Sequence, residues 1–248
     1  MKHLLSRDNA EVLAQFAFSR VLLAFDFDGT LAPIVRDRSQ AIMRSVTASM
    51  LKTLCAIYPV AAISGRAKTD VSARLGGARV KYVVGNHGLE PGGRLDKYAV
   101  EIASARRILE NALANAHGVD IEDKRYSLAL HYRRSRQKRH ARTTILKAVA
   151  ALPLAMRVVP GKLVVNVVPA RAPNKGDALL ALRTRERADT AIYVGDDITD
   201  EDVFKIDQPG RLLCIRVGES QTSAAMYFLR NQREIDRLLA KLVALRDG

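Results

Sequence analysis

Five short apolar runs, separated by stretches with helical periodicity, restrict the fold of this chain more than any other feature of its sequence. They comprise Val21 to Phe27, Val60 to Ile63, Val80 to Val84, Ala191 to Val194 and Leu212 to Val217. Apolar runs without polar alternation are typical of strands buried on both faces, as in a parallel sheet covered by helices. The pattern therefore predicts a doubly wound α/β core.

The segment between the third and fourth runs has a different pattern. After Gly92 and Gly93, a helix followed by two strands is predicted, and the same order then recurs. The predicted elements are a helix to about residue 116, strands near 119–122 and 127–132, a helix near 137–151, and strands near 156–159 and 163–168. Two helix-strand-strand units indicate an α+β insert with an antiparallel sheet. We therefore predict a discontinuous core at residues 1–90 and 170–248 and an inserted domain at residues 91–169.

Composition excludes two other classes of protein. Hydrophobic residues make up 48% of the chain and charged residues 27%, which supports a folded core and excludes a disordered chain. The uncharged apolar stretches are well short of the roughly 20 residues that span a bilayer. Arg7, Asp8 and Glu11 stand where a signal peptide would need apolar residues. We expect no membrane association and a cytoplasmic location, while the oligomeric state does not follow from the sequence.

Carboxylates follow two of the five apolar runs. The first run leads into Asp26 and Asp28, and the fourth leads into Asp196, Asp197 and Asp200. Ligand sites of open α/β sheets lie beyond the carboxyl ends of the strands, so these side chains are expected to converge. A single Asp after a strand is more often a turn or cap residue, but that role does not explain two clusters. Clustered carboxylates need a hard cation, and oxygen ligands suit Mg2+, so the sequence predicts a magnesium site.

Groups that suit an anion follow other predicted elements. Ser64 and Arg66 follow the second run and are expected to begin a helix, where a hydroxyl, backbone N–H groups and a guanidinium meet. Lys175 follows Asn174 at the start of another predicted helix and adds an ammonium group. Taken alone, Ser64 is a helix cap and Lys175 a solvated surface residue. Together with the carboxylates, they form a set of groups that handles phosphate.

These motifs, in this order, resemble those of the haloacid dehalogenase superfamily of aspartate-nucleophile phosphatases. More narrowly, four segments are similar to trehalose-6-phosphate phosphatases. They are DFDGTLAPI at 26–34, GNHG at 85–88, EDKRYSLALHYR at 122–133 and GDDITDEDVF at 195–204. The resemblance covers residues 21 to 205 and implies a Rossmann-like catalytic core, with the insert acting as a cap domain.

The resemblance also implies roles in phosphoryl transfer. Asp26 is expected to attack phosphorus and form an aspartyl-phosphate. Asp28 is expected to protonate the leaving oxygen and then to activate water, with Thr30 orienting it. Ser64 and Lys175 are expected to hold the phosphoryl oxygens, where charge must be stabilised.

By the same resemblance, Mg2+ is expected to bind Asp26, Asp196 and the backbone carbonyl of Asp28. Asp197 and Asp200 are expected to support the metal through its waters. A non-catalytic binding module would lack at least one of Asp26, Asp28 and Asp196, and all three are present.

The cap domains of this family close over the core and bring in groups that read the sugar. Arg66, Glu122 and Lys124 are implied as such groups, while Asn86 and His87 line the entrance. His87 is equally well a turn residue in a loop flanked by glycines.

One position departs from the family pattern. Where the family has a second sugar-binding Glu in a pattern like GKxxxExxP, this chain has Asn166. An amide still bonds hydroxyl groups but carries no charge. The resemblance implies trehalose 6-phosphate as the substrate. Because of Asn166, sucrose phosphate, mannosyl- or glucosyl-phosphoglycerate and a hexose phosphate are kept as alternatives.

The insert also contains a basic segment. From Lys124 to Lys147 there are nine Lys or Arg and no Asp or Glu, with Tyr126 and Tyr132 interleaved. Such a patch can bind nucleic acid through phosphates, which makes a nucleic-acid-binding protein the competing class. The segment has no recognisable nucleic-acid motif, so we favour a solvated helix face that steers an anionic phosphosugar.

Overall fold

The computed structural model describes residues 1–90, 95–161, 163–206 and 208–246. The chain divides into two compact units, residues 1–90 with 173–248 and residues 91–172. Gly92 and Gly93, at the predicted entry into the insert, lie outside the described residues. Within the described ranges, no helix combines the length and the apolar character needed to cross a membrane.

Seven strands form the sheet of the first unit. They are β1 (Lys2–His3), β2 (Val21–Phe25), β3 (Val60–Ile63), β4 (Tyr82–Val84), β9 (Thr190–Gly195), β10 (Leu212–Val217) and β11 (Tyr227–Leu229), numbered in chain order across both units. All neighbours pair in parallel, in the order β1-β11-β10-β9-β2-β3-β4. The five apolar runs are thus confirmed as strands. Strands β1 and β11 were not predicted, because strands of two and three residues are too short to show a periodicity.

Helices cover both faces of this sheet. On one face are α1 (Ala10–Phe18), α2 (Ser45–Ile57), α3 (Lys68–Arg74) and α8 (Glu234–Ala244), and on the other are α6 (Lys175–Glu186) and α7 (Glu201–Phe204). Along β2, Leu23 and Phe25 belong to one apolar core, whereas Leu22 and Ala24 belong to the other. Burial on both faces explains why the strand is apolar throughout. The doubly wound α/β core is confirmed.

The second unit contains two helix-strand-strand repeats, in the predicted order. They are α4 (Leu95–Ala112), β5 (Asp120–Asp123) and β6 (Leu128–His131), then α5 (Lys138–Ala150), β7 (Met156–Gly161) and β8 (Val164–Pro169). The strands form an antiparallel sheet in the order β5-β6-β8-β7. One face of the sheet packs against both helices in a core that includes Leu109, Leu128 and Ile145.

Candidate active site

Two acidic motifs meet at the carboxyl edge of the parallel sheet. Asp26 directly follows β2 and Asp196 directly follows β9, and these two strands are hydrogen-bonded neighbours. One carboxylate oxygen from each of Asp26, Asp196 and Asp200 lies within 4.8 Å of the others. Three of the five carboxylates expected to converge therefore do so.

Gly29 allows the two acidic motifs to approach each other. Its φ is +83°, and a Cβ atom at this position would overlap the carboxylate of Asp196. A larger residue would be both strained and displaced. The turn is fixed further by Gly29 N, which donates to Ala32 O at 2.7 Å, and by Gln232 Nε2, which donates to Thr30 O at 2.9 Å.

Lys175 lies between two of the carboxylates. It begins α6, where Asn174 and Asp177 form a capping box, and its side chain is almost fully buried. Its Nζ is 3.0 Å from Asp26 Oδ1 and 2.8 Å from Asp200 Oδ1. Burial alone would lower the pKa of Lys175, but the two carboxylates outweigh burial and raise it, so the side chain remains an ammonium. The alternative of a solvated surface lysine is excluded.

The carboxylates of this cluster are poorly compensated. Burial raises the pKa of Asp26 to about 7, against the opposing effect of Lys175. Burial also raises the pKa of Asp196 to about 9, and the neighbouring carboxylates add to the effect. Three carboxylates share one ammonium here, which leaves an excess of two negative charges when all are ionised.

The donor set at this cluster fits Mg2+. Asp196 Oδ1 is buried and has no hydrogen-bond partner among the described residues, as expected of an oxygen arranged for a cation. Carboxylate oxygens are the ligands that Mg2+ prefers, and a divalent cation would balance the excess charge.

Asp197 and Asp200, expected to support the metal through its waters, both accept hydrogen bonds from within the protein. The Asp197 side chain accepts a hydrogen bond from Ile198 N at 2.7 Å and caps the turn that follows. Asp200 is fully buried, and its oxygens accept hydrogen bonds from Lys175, from the Tyr193 hydroxyl and from two backbone N–H groups. Internal hydrogen bonds therefore engage both carboxylates. Tyr193 was not predicted as a site residue, although a tyrosine inside an otherwise apolar strand indicates that its hydroxyl has a buried partner.

Arg66 holds the carboxylate of Asp28. Its Nε and one terminal nitrogen donate to the two Asp28 oxygens, both at 2.7 Å, and its other terminal nitrogen donates to Asp70 at 2.6 Å. Thr30, expected to orient Asp28, does not hydrogen-bond to it: its hydroxyl is buried without a partner among the described residues.

The expectation that residues 64–66 begin a helix is wrong, because α3 begins at Lys68. Asp70, missed by sequence analysis, lies four residues after Arg66, the spacing of a helical ion pair.

Two loops meet beside this ion pair. The buried Ser64 hydroxyl accepts a hydrogen bond from Arg66 N at 3.2 Å, and His87 N donates to Ser64 O at 3.0 Å. Asn86 and His87 are buried and have φ values of +49° and +59°. A Cβ atom at Gly88 would overlap the backbone carbonyl of Asn174, so this loop also abuts the start of α6. The backbone of Asn86 and His87 therefore ties the loop after β3 to α6.

Glu122 and Lys124 lie near one end of β5 in the second unit. Glu122 is exposed, and its carboxylate is 2.8 Å from His131 Nε2. Lys124 is buried and lies just beyond the strand, in a turn where its N–H donates to Ser127 O at 2.9 Å. The alternation of side chains along β5 therefore determines which face of the sheet Glu122 points to. It does not apply to Lys124, which lies outside the strand.

Asn166 shares a row of the sheet with Glu122. Glu122 pairs with Ala129, and Ala129 pairs with Asn166, so all three point to the face opposite the helices. Asn166 Nδ2 donates to Val159 O at 3.2 Å. Its Oδ1 is buried and has no hydrogen-bond partner among the described residues. An acceptor therefore stands on the same face as the Glu122 carboxylate.

Apart from the buried Lys124, the basic segment exposes its charged side chains, as expected of a solvated face. Its exposed side chains include Arg133, Arg134, Arg136, Lys138, Arg139 and Arg142. Helix α5 instead buries Ala141 and Ile145. Tyr126 and Tyr132 are buried, so their rings are not available to stack on bases.

Comparisons with known proteins place these features in one family. The sequence model of the family described as Trehalose-phosphatase matches residues 24–232. The trehalose-phosphate phosphatase of Mycobacterium ulcerans is 32% identical over 243 residues, which cover 91% of this chain and 62% of that protein. The protein of the same name from Mycobacterium avium is 34% identical over 235 residues, covering 89% and 57%.

A solved structure shows the same fold. The C-terminal domain of C. albicans trehalose-6-phosphate phosphatase superposes with a TM-score of 0.76 at 23% identity, covering 95% of this chain and 97% of that one. The present chain spans about three fifths of the length of the curated relatives that it matches.

Proposed function

This chain belongs to the trehalose-phosphatase family of the haloacid dehalogenase superfamily, and we propose that it hydrolyses trehalose 6-phosphate to trehalose and phosphate. The observation that carries the proposal is the buried Asp26 carboxylate, 3.0 Å from the Lys175 ammonium and beside the unpartnered oxygen of Asp196. A carboxylate in this setting is a nucleophile whose negative charge is balanced as an anionic substrate approaches.

Two displacements at phosphorus complete the reaction. In the first, an Asp26 oxygen attacks phosphorus, the bond to the sugar oxygen breaks, and Asp28 gives that oxygen a proton. In the second, Asp28 takes a proton from a water molecule that attacks phosphorus, and the bond to Asp26 breaks to release phosphate. The paired hydrogen bonds from Arg66 hold Asp28 as the carboxylate, which is the form that takes a proton from water in the second displacement. In the first displacement Asp28 carries its proton on a lone pair that Arg66 does not use.

The remaining core residues stabilise charge. Lys175 and the Ser64 hydroxyl are proposed to donate to the phosphoryl oxygens. Asp26, Asp196 and the backbone carbonyl of Asp28 are proposed to hold Mg2+, which would supply positive charge that offsets the repulsion between the nucleophile and the phosphate.

We propose that residues 91–169, which lie within the second unit, act as the cap domain and recognise the sugar. Support comes from the row that contains Glu122 and Asn166, where a carboxylate and an unpartnered amide oxygen face the same way. Both groups accept hydrogen bonds from hydroxyl groups. Lys124, Arg66, Asn86 and His87 are proposed as further contacts to the substrate.

Asn166 favours a second candidate substrate class. An amide at this position pairs with hydroxyls less strongly than a carboxylate does, so another phosphosugar, such as sucrose phosphate, a glycosyl-phosphoglycerate or a hexose phosphate, is the alternative.

A panel of phosphate esters tests the proposal. Phosphate release with Mg2+ is measured for trehalose 6-phosphate, for the alternative phosphosugars and for p-nitrophenyl phosphate. We expect the highest kcat/KM with trehalose 6-phosphate, and Asn166→Glu should preserve or raise it, with the exposed Asn115→Glu as the matched control. If another phosphosugar is preferred and Asn166→Glu does not shift the preference, the phosphatase assignment stands and the trehalose assignment is wrong.

A further inference from the structure

We infer that Tyr193 is a positioning residue. Its hydroxyl completes the set of hydrogen-bond donors around Asp200. Asp200 therefore holds Lys175 in place and binds no cation itself. The inference rests on the proposed phosphatase function, because Lys175 is a charge-stabilising group there. Tyr193 lies within β9 and is fully buried, and its hydroxyl is 2.6 Å from Asp200 Oδ1.

The hydrogen bonds to Asp200 use all of its acceptor capacity. Oδ1 accepts from Tyr193 Oη at 2.6 Å and from Lys175 Nζ at 2.8 Å. Oδ2 accepts from Asp196 N and from Asp197 N, both at 2.8 Å. A carboxylate offers about four lone-pair sites, and four donors occupy them. A cation or its water could reach Asp200 only by displacing one of these donors.

Asp200 and Asp196 are therefore unlike, although both belong to the acidic cluster. Asp196 Oδ1 is buried without a partner among the described residues, whereas each Asp200 oxygen has two donors. Displacing a buried donor leaves it unpaired, which is unfavourable. The geometry therefore assigns cation binding to Asp26 and Asp196, and assigns to Asp200 the placement of Lys175 and of the 196–197 backbone.

Tyr193 controls how Lys175 is shared between its two carboxylates. The ammonium contacts Asp200 at 2.8 Å and Asp26 at 3.0 Å. The tyrosine hydroxyl offsets part of the charge on Asp200 Oδ1. Without it, that oxygen would attract the ammonium more strongly, away from Asp26.

Packing holds the Tyr193 ring in the required orientation. The ring lies edge-on to Phe204, with centroids 6.0 Å apart and an interplanar angle of 67°. A Cβ atom at Gly195 would overlap the Asp200 carboxylate, so glycine is needed for Asp200 to reach this position. The hydroxyl is thus delivered by a fixed ring to a fixed carboxylate.

The test is Tyr193→Phe, which keeps the ring and removes only the hydroxyl. Tyr58→Phe is the matched control, because Tyr58 is also buried in the first unit and its hydroxyl donates to Leu242 O at 2.8 Å. For each protein, kcat and KM with p-nitrophenyl phosphate, the Mg2+ dissociation constant by calorimetry and the Tm are measured. We expect kcat to fall roughly tenfold in Tyr193→Phe, with KM and Mg2+ affinity within about twofold of wild type, and no such fall in Tyr58→Phe.

Three results would overturn the inference. In the first, Tyr193→Phe has the wild-type kcat and loses about as much Tm as Tyr58→Phe does, because the hydroxyl would then be merely structural. The second is an unchanged kcat with a raised KM. The third is a change in Mg2+ affinity as large as that caused by Asp196→Asn, because Asp200 would then belong to the metal site.

Failure of the proposed function gives a different result. A wild-type protein that hydrolyses neither p-nitrophenyl phosphate nor any phosphosugar would refute the phosphatase proposal. The Mg2+ titrations still test the inference in that case, since they require no turnover: Asp196→Asn should weaken binding and Tyr193→Phe should not.

Discussion

The two units of this chain differ in net charge and in whether their charged side chains are buried or exposed. Residues 1–90 and 173–248 contain 24 Lys and Arg and 20 Asp and Glu, a net charge of +4, whereas residues 91–172 contain 16 and 6, a net charge of +10. In the first unit the decisive charges are buried and bonded to each other, as with Asp26, Asp200 and Lys175. In the second unit most of the charges face solvent. Phosphoryl transfer needs concentrated, fixed charge, while attraction of an anion needs only a positive surface.

The candidate side chains of the two units also differ in how firmly they are held. In the first unit, Asp28, Arg66 and Asp70 form a chain of bonds of 2.6 to 2.7 Å. In the second unit, Glu122 is exposed to solvent, and Asn166 retains an acceptor without a partner in the described part of the chain. We therefore expect changes in the first unit to affect every phosphate ester and changes in the second to affect particular sugars.

The largest effect is expected for Asp26→Asn in the first unit. The amide matches the carboxylate in volume but cannot attack phosphorus, so turnover should fall at least about a thousandfold for every substrate. Phosphate release is measured alongside Tm, with the exposed Asp189→Asn as the control. A folded Asp26→Asn protein with normal turnover would refute the aspartyl-phosphate mechanism.

A smaller effect is expected for Asp196→Asn, which weakens the cation site without removing the cation. A chelator should abolish activity and Mg2+ should restore it, and Asp196→Asn should raise the Mg2+ concentration for half-maximal rate by more than about tenfold. The exposed Asp8→Asn serves as the control. Full activity in a metal-free preparation would show that the acidic cluster has another purpose.

Glu122→Ala should lower kcat/KM with the sugar phosphate but not with a small aryl phosphate, which would distinguish the roles of the two units. Loss of one hydrogen-bonding group in a sugar site costs about 1 to 3 kcal/mol, or roughly 5- to 150-fold in kcat/KM with trehalose 6-phosphate. Hydrolysis of p-nitrophenyl phosphate should stay within about twofold, because it needs only the first unit. The matched control is Glu110→Ala, another exposed carboxylate of the second unit. Equal losses with both substrates would contradict the division of roles.

The raised pKa values in the first unit predict a pH-dependent effect of Mg2+ on stability. With pKa values of about 7 for Asp26 and about 9 for Asp196, against 3.8 ordinarily, the folded protein binds more protons than the unfolded chain. The free energy of unfolding should therefore fall as pH rises through that window in the absence of metal. Mg2+ favours the ionised carboxylates, so it should raise Tm more at pH 8 than at pH 5. A larger increase at pH 5, measured by thermal denaturation, would contradict this sign.

The smallest effect is expected from the basic surface of the second unit. Replacing Arg134, Arg136, Lys138 and Arg139 by Gln should lower kcat/KM at low salt and leave kcat unchanged. The effect should shrink as the Debye length falls from about 30 Å at 0.01 M to about 8 Å at 0.15 M salt. Sequence-selective nucleic-acid binding that survives high salt and is lost in this variant would favour the competing class.

The sequence predicts the parallel sheet and its acidic edge because buried strands leave continuous apolar runs, and because their carboxyl ends meet at one edge. Other features depend on contacts between distant residues, which no local pattern records. The bond from Tyr193 to Asp200 and the pairing of Arg66 with Asp28 are of this kind. The start of α3 at Lys68, later than predicted, belongs with them, because Ser64 and Arg66 are used in the loop that holds Asp28.

Trapping the covalent intermediate tests most directly whether Asp26 in the first unit is the nucleophile that attacks phosphorus. Wild-type protein turning over p-nitrophenyl phosphate with Mg2+ is quenched in acid and reduced with borohydride, which converts an aspartyl-phosphate to homoserine. We predict homoserine at position 26, detected by peptide mass spectrometry, only when substrate is present and not in Asp26→Asn. Homoserine at position 28, or none in an actively hydrolysing enzyme, would contradict the assignment of Asp26 as the nucleophile.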